Sequence, residues 1–65
     1  MTKFEEFYQN LLVKDAESVR ADIEKHVSPV SFLNWKRGTF EPHSDLWPII
    51  NAIAEKYGYP KPYTV

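Results

Sequence analysis

Side chains that could bind a ligand are concentrated between Ser28 and Gly38. The amide of Asn34 can donate and accept hydrogen bonds at the same time. Lys36 and Arg37 follow within one helical turn, and their positive charge suits an anionic group such as a phosphate. These residue types predict binding through hydrogen bonds and charge.

Residue combinations that perform catalysis or hold a cofactor are not evident. His26 and His43 have neither a cysteine nor a carboxylate at ligand spacing, so no metal site is expected. The acidic pairs fall on predicted solvent faces, which argues against a general acid and base. The two glycines lie where helices are expected to stop, so they do not form a phosphate-binding loop. We therefore expect no enzyme and no cofactor.

The stretch from Ser28 to Gly38 contains the signals of a complete short helix. Ser28 suits the N-cap, and Pro29 suits the first helical position. Lys36 and Arg37 suit the last turn, where positive charge complements the helix dipole, and Gly38 can adopt the left-handed conformation that ends a helix. About nine residues are too few for a helix that is stable alone, so neighbouring elements must hold it.

Two helices are predicted before this stretch. Thr2 and Glu5 have the spacing of a capping box, and apolar residues at helical spacing predict a helix over residues 3 to about 13. Asp15 suits the N-cap of a second helix that runs to about Lys25. The second and third helices must then meet through a tight turn.

A further helix and a tail are predicted after this stretch. Ser44 or Asp45 can cap a helix that runs to about Tyr57 and is closed by Gly58. Residues 59–65 contain two prolines and are expected to be extended, either packed on the body or free. The chain is thus predicted to be one small all-α domain, residues 1–65, with four or five helices.

Composition predicts the cellular setting and the core. The chain has no cysteine, no signal-peptide pattern and no apolar run of membrane-spanning length, so we expect a cytoplasmic protein that does not enter a membrane. Trp35 and Trp47 stand at helical spacing from other apolar residues, and both are expected in the core.

A series of residues between Val27 and Gly58 has a distinctive order and spacing. It comprises Val27-Ser28, Phe32, Trp35-Lys36-Arg37-Gly38, Pro42 and an apolar stripe from Leu46 to Tyr57. This series resembles the helix-turn-helix of the lambda-repressor-like (Cro or Xre type) DNA-binding family. The resemblance implies a helix bundle with a helix-turn-helix at residues 16–38. It also implies sequence-specific binding of double-stranded DNA in transcriptional regulation, with helix 29–37 in the major groove.

The resemblance also suggests which residues contact DNA. With Phe32 and Trp35 facing inward, the outward side carries Val30, Ser31, Leu33, Asn34 and Arg37. Asn34 can pair with adenine, and Arg37 with guanine or a phosphate. Val30 or Leu33 can contact a thymine methyl group. The residues expected to hold phosphates are Ser28, Lys36 and Thr39.

Ordinary structural roles also fit several of these residues. Ser28 is an N-cap in either interpretation, and Lys36 and Arg37 are common charges for a last helical turn. Asn34 is harder to explain by structure, because asparagine is a poor helix former. A homodimer on a two-fold DNA site is expected to raise affinity, with Tyr57, Tyr59 and the proline-containing tail as candidate dimer surfaces.

Two positions differ from the family pattern. The family usually has a glycine just before the position of Val27, so His26 must be left-handed or the turn must differ. A small residue is expected in the middle of the second helix. Asp22 occupies that position unless a longer turn places Ala21 or Ile23 there.

Charge leaves an alternative function open. The net charge of −1 is unlike the basic surface of most DNA-binding domains, although residues 28–43 carry two basic residues against one acidic residue. The alternative is a protein-interaction module that uses exposed Val30 and Leu33. A continuous positive strip favours DNA, and an apolar patch ringed by acidic residues favours a protein partner. The residues expected to form the strip are Arg20, Lys25, Lys36 and Arg37.

Overall fold

The computed structural model describes residues 2–63, which form four α-helices and no strand. The helices are α1 (Lys3–Gln9), α2 (Val13–Glu24), α3 (Pro29–Lys36) and α4 (Trp47–Lys56), and a 3-10 turn at Ser44–Leu46 precedes α4. The all-α fold class is therefore confirmed. No helix in this part of the chain is both long enough and apolar enough to cross a membrane.

The helices share one hydrophobic core built on aromatic contacts. Phe4 of α1 is fully buried, and its ring centroid lies 5.9 Å from that of Phe32 and 5.6 Å from that of Trp35. Both partners belong to α3, so this cluster attaches α3 to α1. The other buried residues of this hydrophobic cluster are Phe7, Leu11, Val19, Ile23, Ile50, Ile53, Ala54 and Tyr63. Burying each large apolar side chain stabilises the fold by about 1.5–3 kcal/mol.

Four of the predicted helix signals are confirmed. Thr2 Oγ1 accepts a hydrogen bond of 3.0 Å from the Glu5 amide at the start of α1. Ser28 Oγ accepts one of 3.3 Å from the Ser31 amide at the start of α3. Glycine follows the C-caps of α3 and α4 with φ +78° and φ +85°, respectively, the left-handed region that a Cβ disfavours.

The predicted boundary between the first two helices is wrong. α1 ends at Gln9 instead of about residue 13, and α2 starts at Val13 without a side-chain cap. The carboxylate of Asp15, which was expected to cap α2, accepts a hydrogen bond from the Tyr59 hydroxyl instead. That hydroxyl also accepts a 3.1 Å bond from the amide of Leu12, whose backbone is extended. The tail thus stabilises the break that separates α1 from α2.

The start of the last helical segment also differs from the prediction. The side-chain acceptor is His43 Nδ1, which lies 3.3 Å from the Asp45 amide, so neither Ser44 nor Asp45 caps the segment. The first turn is a 3-10 turn, and α4 begins only at Trp47. An extended His43 can place its ring over the free amides, as a serine or aspartate would.

The tail is packed on the body as far as Tyr63, and residues 64 and 65 lie outside the described range. The Tyr63 ring stacks on Trp47 with a centroid distance of 4.8 Å. The side-chain amide of Asn51 accepts from the Tyr63 amide at 3.0 Å and donates to its carbonyl. The Tyr63 hydroxyl donates to Glu41 Oε1 at 2.9 Å. Tyr63 is therefore part of the core, and it anchors the tail.

The turn between α2 and α3 contains no left-handed residue and so differs from the turn of the family pattern. No residue other than glycine has a positive φ between residues 2 and 63, so His26 is not left-handed. Its amide bonds instead to the Ile23 carbonyl at 2.9 Å. Asp22 faces α4, where its carboxylate accepts hydrogen bonds from the Tyr57 hydroxyl at 2.9 Å and from Lys56 Nζ at 3.1 Å. The expected small residue at this position is thus replaced by a polar link from α2 to α4.

Candidate nucleic-acid interface

α3 is fixed at both ends and along its inner face. Phe32 and Trp35 are buried beneath it, at 0% and 7% exposure. At its C-terminal end, the Thr39 amide bonds to the Asn34 carbonyl and the Gly38 amide bonds to the Trp35 carbonyl, both at 3.0 Å. This pair of bonds is a Schellman motif. The outward side chains of α3 are therefore presented on a rigid element.

The outer face of α3 consists of Val30, Leu33, Asn34 and Arg37. Val30 is 69% exposed and Leu33 is 37% exposed. Arg37 is exposed, and Asn34 is half-buried between them. Helical geometry places these four opposite Phe32 and Trp35, as the sequence predicts. The face combines an amide, a guanidinium and two aliphatic side chains.

The side-chain amide of Asn34 forms no hydrogen bond with any residue in the described range. The other two asparagines use their amides internally: Asn10 donates to the Glu6 carbonyl at 2.9 Å, and Asn51 holds the backbone of Tyr63. No fully buried side-chain polar atom of residues 2–63 lacks a partner, so the Asn34 amide is reachable from solvent. Its donor and acceptor are both available to a ligand.

Positive charge lies at the C-terminal end of α3. Arg37 forms no ion pair with the described residues, and Lys36 Nζ lies 5.7 Å from the centroid of the Tyr8 ring. Residues 25–40 contain three basic residues and no acidic one. One carboxylate approaches from outside this segment, because Glu5 Oε1 would lie 2.7 Å from a Cβ placed on Gly38. The local charge is basic although the whole chain is slightly acidic.

The predicted strip of positive charge is interrupted. Arg20 pairs with Glu24 at 3.2 Å, and Lys25 pairs with Asp22 at 3.4 Å. Hydrogen bonds from Lys56 and then from Tyr57 hold the pKa of Asp22 below its usual value, so this carboxylate stays ionised. The cations of the expected strip that are free of such pairs are Lys36 and Arg37.

Ser28 and Ser31, two of the remaining predicted contact residues, are bonded to each other. Ser28 Oγ donates to Ser31 Oγ at 3.2 Å while it caps α3, so its hydroxyl is used within the chain. Ser31 is half-buried at the side of α3, and Thr39 is exposed just beyond its end. Ser28 therefore has a demonstrated capping role, and its contact with phosphate stays a prediction.

Phe40, which was not predicted as a site residue, follows α3 and is 59% exposed. The other three phenylalanines are buried. Phe40 falls outside the helical apolar stripes, which is the one signal that could have marked it as a surface aromatic. It lies two residues beyond Gly38, close to the C-terminal end of α3.

The hydroxyls of the two tyrosines expected at a dimer surface are engaged inside the chain. The hydroxyl of Tyr57 donates to Asp22, and that of Tyr59 donates to Asp15. These hydrogen bonds raise the pKa of both tyrosines, and both rings are half-buried. A homodimer stays a prediction, and the hydroxyls of Tyr57 and Tyr59 are not free to form its contacts.

A groove of about 500 Å³ separates α1 from the tail. Its lining residues are Lys3, Glu6, Phe7, Asn10, Tyr59, Pro60, Lys61 and Pro62. None of the residues predicted to contact DNA lines this groove. Within residues 2–63, no group of three or more His, Cys, Asp or Glu side chains is placed to hold a metal ion.

Comparison of the chain with family models, curated proteins and solved structures finds no match. Function must therefore be inferred from the side chains themselves. Their arrangement provides an unpaired amide, a guanidinium without an ion pair and exposed methyl groups on one rigid helix.

Proposed function

We propose that this protein binds double-stranded DNA in a sequence-specific manner and regulates transcription. In this proposal the fold is a lambda-repressor-like helix-turn-helix, with α3 in the major groove and α2 across the backbone. The observation that carries the proposal is the unpaired, solvent-accessible amide of Asn34 beside Arg37, which forms no ion pair with the described residues. A helix that only covered a core would gain nothing from an asparagine there.

The chemistry of the outer face of α3 matches base edges in the major groove. The side-chain amide of Asn34 can form two hydrogen bonds with one adenine. Its oxygen accepts from N6, and its nitrogen donates to N7. The Arg37 guanidinium can donate two bonds to guanine or one to a phosphate. Val30 and Leu33 present methyl groups that suit the methyl of thymine. Each well-made bidentate contact discriminates against a wrong base by about 1–3 kcal/mol.

Charge placement makes DNA binding compatible with a net charge of −1. The acid-free segment 25–40 contains all of α3, whereas the nine acidic residues lie before or after it. Few cations are free near α3, so the protein should make few phosphate contacts. A single copy is then expected to bind weakly, and a dimer on a two-fold site would raise the affinity.

Selection from a pool of random-sequence duplexes tests the proposal. The wild type should enrich a defined sequence, and Asn34→Ala should weaken binding to it by about 1–3 kcal/mol and relax preference at one base pair. Gln9→Ala, which removes an exposed amide from α1, is the matched control and should leave the affinity unchanged. Failure of the wild type to enrich any sequence would contradict the proposal.

A second candidate is a protein-interaction module, favoured by the exposure of Val30 and Leu33 on one side of α3. Exposed aliphatic side chains at helical spacing can fill a groove on a partner protein. In that case Val30→Ala would abolish binding to the protein partner. The wild type would have negligible affinity for DNA, and Asn34→Ala would not change it. We favour DNA because residues 25–40 contain no acidic residue and the Asn34 amide has no partner in the described range.

A further inference from the structure

Phe40 is an aromatic side chain without a place in the core. Phe4, Phe7 and Phe32 are at most 8% exposed, whereas Phe40 is 59% exposed. It belongs neither to the buried cluster nor to the partly buried residues packed against it. Its ring also forms no aromatic pair with the described residues. The chain therefore leaves most of this apolar surface in water.

The backbone on both sides of Phe40 is anchored. Before it, the Thr39 amide bonds to the Asn34 carbonyl at 3.0 Å. After it, Glu41 Oε1 accepts from the Phe4 amide at 3.3 Å and from the Tyr63 hydroxyl at 2.9 Å. A ring displayed on a loop anchored in this way loses little further backbone freedom when it meets a partner.

The surroundings of Phe40 favour DNA over a protein as that partner. It ends the acid-free segment 25–40 and stands three residues after Arg37. The next acidic side chain, Glu41, directs Oε1 toward internal donors. The Glu5 carboxylate also lies near this loop, beside Gly38. Lys36 and Arg37 precede the loop and Lys3 lies near Glu41, so the cations outnumber the two carboxylates here.

We infer that Phe40 is a further DNA-contacting residue, whose ring packs on a deoxyribose of the backbone beside the groove that α3 enters. This inference rests on the proposed function. A sugar is present at every nucleotide and carries no charge, so the contact contributes equally on every sequence and at every salt concentration. Phe40 would thereby differ from Asn34, whose contribution depends on sequence, and from Arg37, whose contribution depends on salt.

Fluorine NMR of protein labelled with 4-fluorophenylalanine tests the contact directly. Four resonances are expected, and Phe40→Leu identifies the one from Phe40. A mixed-sequence duplex at about 50 mM salt should shift the Phe40 resonance. The other three resonances should stay in place, because their rings are buried. Backbone amide shifts of α3, recorded on the same sample, report DNA binding independently.

Affinity measurements separate this inference from the proposed function. Phe40→Ala should weaken binding about tenfold on mixed and selected duplexes alike, with an unchanged salt slope and an unchanged melting temperature. Phe40→Leu should recover part of the loss, because it retains an apolar side chain. Amide shifts in α3 with a stationary Phe40 resonance and an unchanged Phe40→Ala affinity would overturn the inference alone. No shift in either spectrum would overturn both the inference and the proposed function.

Discussion

The Tyr63 hydroxyl donates a hydrogen bond of 2.9 Å to Oε1 of Glu41, which links the tail to the loop that follows α3. The same oxygen accepts from the Phe4 amide at the start of α1. One carboxylate oxygen thus joins the N-terminal helix, the loop after α3 and the tail. The hydrogen bonds to Glu41 therefore stabilise the fold and also hold the loop that follows α3 in place.

Two tyrosine variants should separate the contributions of the ring and the hydroxyl at Tyr63. Tyr63→Phe removes the hydrogen bond to the ionised Glu41 carboxylate and keeps the stacking on Trp47, so the free energy of unfolding should fall by about 1.5–3 kcal/mol. Tyr63→Ala also removes the buried ring and should cost about 3–5 kcal/mol. Urea unfolding followed by tryptophan fluorescence measures both. Equal losses in the two variants would show that the ring does not contribute to packing.

Acidification should destabilise the protein through Glu41. Burial alone would raise the pKa of Glu41, but hydrogen bonds from Tyr63 and from the backbone amides of Lys3 and Phe4 outweigh it and lower the pKa below its usual 4.5. The unfolded chain therefore takes up the proton at a higher pH than the folded chain. The stabilisation is fully present above about pH 4.5 and is lost as the pH falls through the lower, folded-state value.

Unfolding free energies measured between neutral pH and about pH 3 check this expectation, and Glu41→Gln should flatten the acid limb. Glu6→Gln is the matched control, because the exposed side chain of Glu6 accepts no hydrogen bond from the described residues. An acid limb that is unchanged in Glu41→Gln would contradict the role given to this carboxylate.

The two glycines form a natural pair for testing the end of α3. Both have a positive φ, so alanine at either position should cost about 1–2 kcal/mol of stability. A Cβ on Gly38 would also meet Glu5 Oε1 at 2.7 Å, whereas one on Gly58 meets nothing within 4 Å. The Glu5 carboxylate is the end of a flexible, half-exposed side chain and can move aside, so Gly38→Ala and Gly58→Ala should cost nearly the same. Thermal unfolding measures both, and a clearly larger loss in Gly38→Ala would show that Glu5 is held in place beside Gly38.

Trp35 should be essential for stability. It is 7% exposed and its ring centroid lies 5.6 Å from that of Phe4. Trp35→Ala should cost about 3–5 kcal/mol, a large part of the stability of so short a chain. Circular dichroism at 25 °C would show lost helicity, and Trp35→Phe should retain more of it. Wild-type thermal unfolding of Trp35→Ala would show that this side chain is not part of the core.

α3 was predictable from the sequence because its signals are local. The cap at Ser28, the proline after it and the left-handed Gly38 lie within eleven residues, and the spacing of Phe32 and Trp35 identifies the buried side. The opposite side follows from helical geometry alone. The bounds of α3 and its two faces could therefore be predicted without information about the rest of the chain.

The errors arose where distant residues decide local structure. Tyr59 bonds to Leu12 across 47 residues, and this contact helps to stabilise the break between α1 and α2. The burial of Tyr63 likewise depends on Trp47 and Asn51, which no local pattern connects to the tail. The free amide of Asn34 is also a tertiary property, since sequence alone cannot show whether a partner is near.

A titration of isotope-labelled protein with a mixed-sequence DNA duplex tests the central claim most directly. Backbone amide shifts at about 50 mM salt should be concentrated between residues 28 and 40, and should fade at about 200 mM salt as phosphate contacts weaken. The side-chain amide of Asn34 should shift with them, whereas that of Asn51, which is bonded to Tyr63, should not. A spectrum unchanged at about 50 mM salt, or shifts that lie outside α3, would contradict DNA binding through this helix.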